Sequence, residues 1–137
     1  MTLVRDVMTP GPRCVDEHKT LVEAAQLLES LDVGALPIRG DDNRLIGMLT
    51  DRDIVVKCLA RGGDPATTRA GELAEGVPVT VGADDDVFAV LETMKRHKVR
   101  RVPIVEGHDL VGIVSQADIA VALAPQLAGE TVAEISE

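Results

Sequence analysis

Aromatic side chains are almost missing from this sequence: Phe88 stands alone, with no tryptophan and no tyrosine among 137 residues. A site that grips bases by stacking them on aromatic rings is thereby excluded, because each base needs its own platform. Cysteine is scarce too, which rules out a disulfide scaffold and points to a reducing compartment. Cys14 and Cys58 form no metal-ligand spacing with each other, and the three histidines, His18, His97 and His108, complete none, so no metal is expected. No apolar run approaches the about 18 residues that a membrane-spanning helix needs, and residues 1–8, MTLVRDVM, lack the apolar stretch of a secretory signal. A soluble, cytoplasmic protein is the expectation. Recognisable catalytic patterns are absent as well: there is no nucleophile elbow, no P-loop and no zinc-protease helix, and the chain is read as non-enzymatic.

Positive charge is in short supply. Fourteen Lys and Arg face 23 Asp and Glu, for a net charge of −9 and a pI near 4.7. Nucleic acid and anionic membranes are poor partners for such a surface. All five basic residues after position 69 fall between Lys95 and Arg101, in KRHKVRR.

What the chain does have is a repeated phrase, GMLTDRDI at 47–54 and GIVSQADI at 112–119. An offset of 66 matches Val15 with Val81, Val33 with Val99, and LPI (36–38) with VPI (102–104); an offset of 65 then matches Leu45, Gly47, Asp53 and Ile54 with Leu110, Gly112, Asp118 and Ile119. The sequence is an internal duplication. Its expected organisation is a first repeat over 1–61, a linker over 62–69, a second repeat over 70–124 and a C-terminal tail over 125–137 that frays.

Each repeat reads as strand, helix, strand, strand, helix. Short apolar strands are predicted at 12–15 and 78–81. Amphipathic helices follow over 20–32, opened by a Thr20/Glu23 capping box, and over 86–98. Paired strands at 35–39 with 44–50, and at 101–106 with 109–115, are joined by the turn-rich GDDN and EGHD. A second helix begins at Thr50 or Ser115. One such unit buries little core, and two packed sheet to sheet solve that problem.

With the opening RDVMTP, the ordered set hPh…G-h-h-[ST]-x-x-D, written twice, resembles a tandem of CBS domains, the arrangement called a Bateman module, of the stand-alone bacterial type. The resemblance covers residues 4–123 and implies an α/β fold of two pseudo-symmetric β-α-β-β-α repeats. It implies a regulatory sensor that binds an adenosyl ligand, AMP, ATP or S-adenosylmethionine, in the cleft between repeats and signals to a protein partner. In such pairs the hydroxyl residue and the Asp hold ribose and phosphate, which assigns those roles to Thr50 with Asp53 and to Ser115 with Asp118. Helix capping explains the same residues without a ligand, since a Thr or Ser at the N-cap and a carboxylate three residues on satisfy free backbone N–H groups. With no aromatic platform, aliphatic walls around adenine are expected from Val15 beside Cys14, Val81 at the end of 79–81, Ile38 and Ile104, all of which also suit a plain core.

Basic residues just before the VP strand meet phosphate in relatives of this kind, which nominates Arg100 and Arg101. The first repeat has Gly34 and Ala35 there, and Asp51 would repel a di- or triphosphate unless Arg52 or Arg101 offsets it, so the two sites are expected to be unequal. Strand alternation puts Arg100 on the side of Val102 and Ile104 and Arg101 on the other. The competing function is a ligand-free homodimeric scaffold or stress-response interaction protein, in which the motifs serve as caps. Homodimer formation through the outer faces of the 20–32 and 86–98 helices, with Val22, Leu27 and Phe88, is expected in either case. Redox control through Cys14 or Cys58 is a third idea, against the default of small buried hydrophobes.

Overall fold

A computed structural model describes residues 2–123; the expected tail at 125–137 lies outside the described residues. In chain order the strands are β1 (Thr9–Pro10), β2 (Val15–Asp16), β3 (Ala35–Arg39), β4 (Leu45–Thr50), β5 (Val81–Gly82), β6 (Arg101–Glu106) and β7 (Asp109–Ser115). The α-helices are α1 (Leu21–Leu31), α2 (Asp51–Asp53), α3 (Val87–His97) and α4 (Gln116–Ala122). The chain divides into two compact units whose ends differ from those of the sequence repeats. Arg13–Pro78 form one unit, while the residues up to Pro12 join those from Val79 onward in the other.

In the unit Arg13–Pro78, β3 is the middle strand of a sheet ordered β2-β3-β4. β2 runs parallel to β3, in register Val15↔Ile38 and Asp16↔Arg39, so the connection between them must cross over, and α1 is that crossover. α1 begins where the sequence places it. Thr20 Oγ1 accepts from the Glu23 N–H and the Glu23 carboxylate accepts from the Thr20 N–H, a reciprocal box. Leu21, Ala24 and Leu28 turn inward and join Val15, Leu36, Ile38 and Leu49 in one core. Residues of the expected linker are structural here, since Thr68 and Pro65 accept from the Leu21 and Val22 N–H groups and so hold the first turn of α1.

The other unit repeats the plan with one addition, in the order β1-β7-β6-β5. β5 pairs in parallel with β6, Val81 opposite Ile104, and α3 crosses over between them. Val87, Val90, Leu91 and Met94 supply its buried face. Both hairpins slip register at the same place, after Ile38 and after Ile104. The long strands and both crossover helices match the expected bounds within about two residues, whereas the two short strands shrink to pairs of residues.

The repeated glycine has a steric reason. Gly47 faces Ile38 across the hairpin, and a side chain there would start 3.0 Å from the Ala74 side chain. Gly112 faces Ile104, and a side chain there would run into Met8. In each unit the missing side chain lets a neighbouring segment lie across the strand.

The second helix differs between repeats. After Asp51–Asp53 the first widens into a π-helix over Ile54–Cys58 and tightens into a 3₁₀ turn over Leu59–Arg61, which rotates Cys58 into the core at 2% exposure. Ile104 is fully buried between two strands, so Ile104→Ala should lower unfolding free energy by about 2–5 kcal/mol in urea denaturation. The control Val121→Ala, at a side chain 90% exposed, should stay within about 0.5 kcal/mol.

Candidate functional site

Both copies of the repeated phrase end a strand and start a helix, and in both the reciprocal box is closed. Thr50 Oγ1 accepts from the Asp53 N–H at 3.0 Å, and Asp53 Oδ2 accepts from the Thr50 N–H at 3.0 Å. Ser115 Oγ accepts from the Asp118 N–H at 3.2 Å, and Asp118 Oδ2 accepts from the Ser115 N–H at 2.9 Å. One oxygen of each carboxylate is thus committed to the backbone. What the other oxygen does separates the two sites.

Asp53 Oδ1 lies 3.3 Å from Lys57 Nζ, one helical turn on, and the same ammonium reaches Glu75 at 2.8 Å. The Glu75 hydrogen bond, above all, raises the Lys57 pKa, so the cation stays in place at any ordinary pH. The position matching Lys57 at the offset of 65 is Ala122, and none of the described ion pairs engages Asp118. Asp118 instead lines a groove of about 390 Å³ with Thr2, Asp6, Val7, Val121 and Ala122, all of its own unit. Sequence reasoning missed Lys57 and Asp6. The first was legible as an i,i+4 partner of Asp53; the second is brought in by the N-terminal segment, whose place no local pattern gives.

The basic pair also lies beside the second motif. Arg101 is the cross-strand partner of Ser115 in the β6/β7 register, which puts both side chains on one sheet face. Arg100 accepts from the Gln116 N–H through its carbonyl at 2.9 Å, at the first residue of α4. Both arginines are exposed. In the first repeat the same contact runs from the Asp51 N–H to the Gly34 carbonyl at 3.0 Å, and a side chain at Gly34 would start 3.5 Å from the Asp51 carboxylate. The two motifs therefore differ in charge: Arg100 and Arg101 stand where the first repeat has Gly34 and Ala35, and Gln116 and Ala117 stand where it has Asp51 and Arg52.

The four apolar positions expected to wall adenine lie in the cores of the two units, and Val15 also lines a groove beside Cys14, Asp16 and Arg39. Val15, Ile38, Val81 and Ile104 are between 0 and 5% exposed and pack in the cores of their units. Each Ile sits between two neighbouring strands and its Val is the parallel partner. The cysteines do not make an activated thiol. Cys58 is buried, and burial pushes the half-buried Cys14 thiol up, the direction of an unreactive thiol.

The comparisons with known proteins agree with this geometry. The family model for the CBS domain matches twice, at residues 4–59 and 70–125. Hypoxic response protein 1 of Mycobacterium tuberculosis is 56% identical over 120 residues, which are 88% of this chain and 84% of that protein. The crystal structure of Hypoxic Response Protein I with two coordinated zinc ions superposes with a TM-score of 0.83 at 54% identity, over 90% of this chain and all of that one. The CBS domain pair of protein MJ0100, in complex with 5′-methylthioadenosine and S-adenosyl-L-methionine, gives a TM-score of 0.73 at 28% identity, over 89% and 95% of the two chains. No helix among the described residues is long and apolar enough to cross a membrane. Two strand–helix–strand–strand units, each closed by the same hydroxyl–aspartate box and each matched by the family model, make this chain a member of the CBS-domain family, built as a CBS pair.

Proposed function

We infer that the protein is a cytoplasmic regulatory sensor, not an enzyme, that binds an adenosyl ligand at the second motif and passes occupancy to a protein partner. The observation that carries this reading is the Asp118 carboxylate lining a groove, engaged by none of the described ion pairs, where its counterpart Asp53 is held by Lys57. A carboxylate with one oxygen fixed by the backbone is oriented to accept hydrogen bonds from a ribose diol. The MJ0100 pair, whose complex holds adenosyl compounds, supplies the ligand class.

Charge narrows that class. Arg100 and Arg101 offer a charge-assisted contact to a phosphate, among the stronger polar interactions open to an acidic protein. Asp6 lines the same groove as Asp118, and a second carboxylate there disfavours a polyphosphate chain while accommodating a sulfonium cation or ribose hydroxyls. AMP and S-adenosylmethionine are therefore the preferred ligands and ATP the weaker one. The rival reading, a ligand-free scaffold, has its own observation: both capping boxes close with no ligand.

A thermal-shift panel with AMP, ATP and S-adenosylmethionine separates the two readings, because a ligand of the folded state must raise the melting temperature. Asp118→Asn should weaken binding about tenfold or more while costing at most about 1 kcal/mol of stability; Asp53→Asn should leave affinity nearly unchanged. No shift with any of the three ligands, or equal losses in the two variants, favours the scaffold.

Replacing Arg100 and Arg101 together with Ala should weaken AMP far more than adenosine, since only AMP loses a charge partner. Equal losses in titration calorimetry would remove these residues from the phosphate contact.

A homodimer through the outer faces of α1 and α3 fits either reading. Val22 and Phe88 are 37% and 50% exposed there, and large apolar side chains left on a helix surface fit an interface. Sedimentation equilibrium at micromolar concentration should give twice the 14.5 kDa chain mass, and a monomer would refute this assembly.

A further inference from the structure

The parallel pairing of β2 with β3 does more than close a sheet. The chain turns just after the last registered pair, Asp16↔Arg39, and that turn brings Glu17 and His18 close to Asp41. One donor atom from each of Glu17, His18 and Asp41 then lies within 4.8 Å of the others, although 22 residues separate His18 from Asp41 in the sequence. The backbone beneath them is pinned. Glu17 N–H donates to the Arg39 carbonyl and the Glu17 carbonyl accepts from Gly71, both at 3.0 Å; His18 N–H donates to Asp16 Oδ1 at 2.9 Å; Gly40 N–H donates to the Arg44 carbonyl at 2.8 Å. Gly40 also leaves room, because a side chain there would start 3.0 Å from Glu17 Oε2.

The equivalent corner of the other unit shows what such a corner requires. There the N-terminal segment lies over the β5–α3 connection, with Val4 N–H on the Asp85 carbonyl and Arg5 N–H on the Ala83 carbonyl. The Arg5 guanidinium then bridges Asp84 at 2.9 Å and Glu106 at 2.5 Å. The first unit has the same two backbone bonds at the offset of 66, Ala70 N–H on Lys19 and Gly71 N–H on Glu17. Gly71 thus stands where Arg5 stands and brings no cation. Among the described ion pairs none engages Glu17, His18 or Asp41. The Arg69 guanidinium donates to the His18 carbonyl.

We propose that Glu17, His18 and Asp41 form a binding site for one divalent transition-metal ion of the zinc type. A mixed imidazole–carboxylate set selects zinc over calcium or magnesium, which take all-oxygen shells. Zinc needs donors about 3.3 Å apart around bonds of about 2.0–2.1 Å, so these half-buried and exposed side chains close on the ion by rotamer adjustment. Three protein ligands leave a fourth position for water. The site is independent of the adenosyl site and belongs to the other unit.

The test uses untagged full-length protein and Zn²⁺ alone. Calorimetry should find one strong site per chain, and His18→Ala and Asp41→Asn should each weaken it by about tenfold or more, with circular dichroism confirming the fold. Co²⁺ should give a visible spectrum of low-coordinate nitrogen–oxygen ligation that disappears in His18→Ala. His97→Ala and His108→Ala serve as controls and should leave binding intact. Absence of stoichiometric Zn²⁺ binding, or binding that survives His18→Ala and Asp41→Asn combined, overturns the proposal. Loss of adenosyl binding in Asp118→Asn with Zn²⁺ binding retained would confirm that the two sites are separate.

Discussion

Each unit is organised by one isoleucine in its middle strand. Ile38 has a parallel neighbour in Val15 and an antiparallel one in Gly47; Ile104 has Val81 and Gly112. Both side chains are fully buried, and the register they impose dictates the rest. The parallel neighbour demands a crossover, which α1 and α3 supply. The antiparallel neighbour runs on to the hydroxyl residue where the chain turns from strand to helix, so the capping box falls at the strand end in both copies. The facing glycine must stay bare because another segment lies across it.

A duplicated scaffold gives each feature two versions, and here they diverge in a complementary way. In the unit Arg13–Pro78 the cap carboxylate of Asp53 is closed by the chain's own Lys57, while the corner of Glu17, His18 and Asp41 has Gly71 in place of a cation. In the other unit the corner is closed by Arg5, while the cap carboxylate of Asp118 has Ala122 where Lys57 stood. Closing either feature takes a single long basic side chain on a backbone held in place by repeat-equivalent hydrogen bonds, so substitution at one position switches a site without disturbing the core.

The long hairpins, both crossover helices and both capping boxes were legible because each carries a local signal: alternation in LPIRG and RVPIVE, helical spacing in LVEAAQLL, and a hydroxyl residue three positions before an acid. The polar residues of the proposed site were placed at the two strand-to-helix turns for the same reason. Its apolar part carries no such signal, since Val15, Ile38, Val81 and Ile104 are apolar in a core and in a pocket alike; the strand order shows that they belong to the cores. Exchange of the N-terminal and linker segments between repeats was hidden as well, because Arg5 and Gly71 act over 79 and 54 residues of sequence on Asp84 and Glu17. Lone histidines out of any motif gave no hint of the corner, which exists only once the fold brings His18 close to Glu17 and Asp41.

How unequal the two cap sites are follows from magnitudes. The Lys57–Asp53 pair is partly screened and contributes about 1 kcal/mol at most, about fivefold in affinity for a ligand that must displace it. That alone gives a preference, not exclusivity. Arg101 on the same face as Ser115, with Arg100 at the start of α4, adds charge-assisted contacts of about 1.5–3 kcal/mol to an anionic ligand, where the first repeat offers Gly34 and the repelling Asp51. On the proposed reading, the contributions reinforce each other for a phosphorylated ligand and the second motif should dominate. For an uncharged adenosine the arginine part vanishes, and selection rests on Lys57 against Ala122. Discrimination between the motifs should therefore grow with ligand negative charge until a polyphosphate meets Asp6, where the groove's own carboxylate reverses the trend.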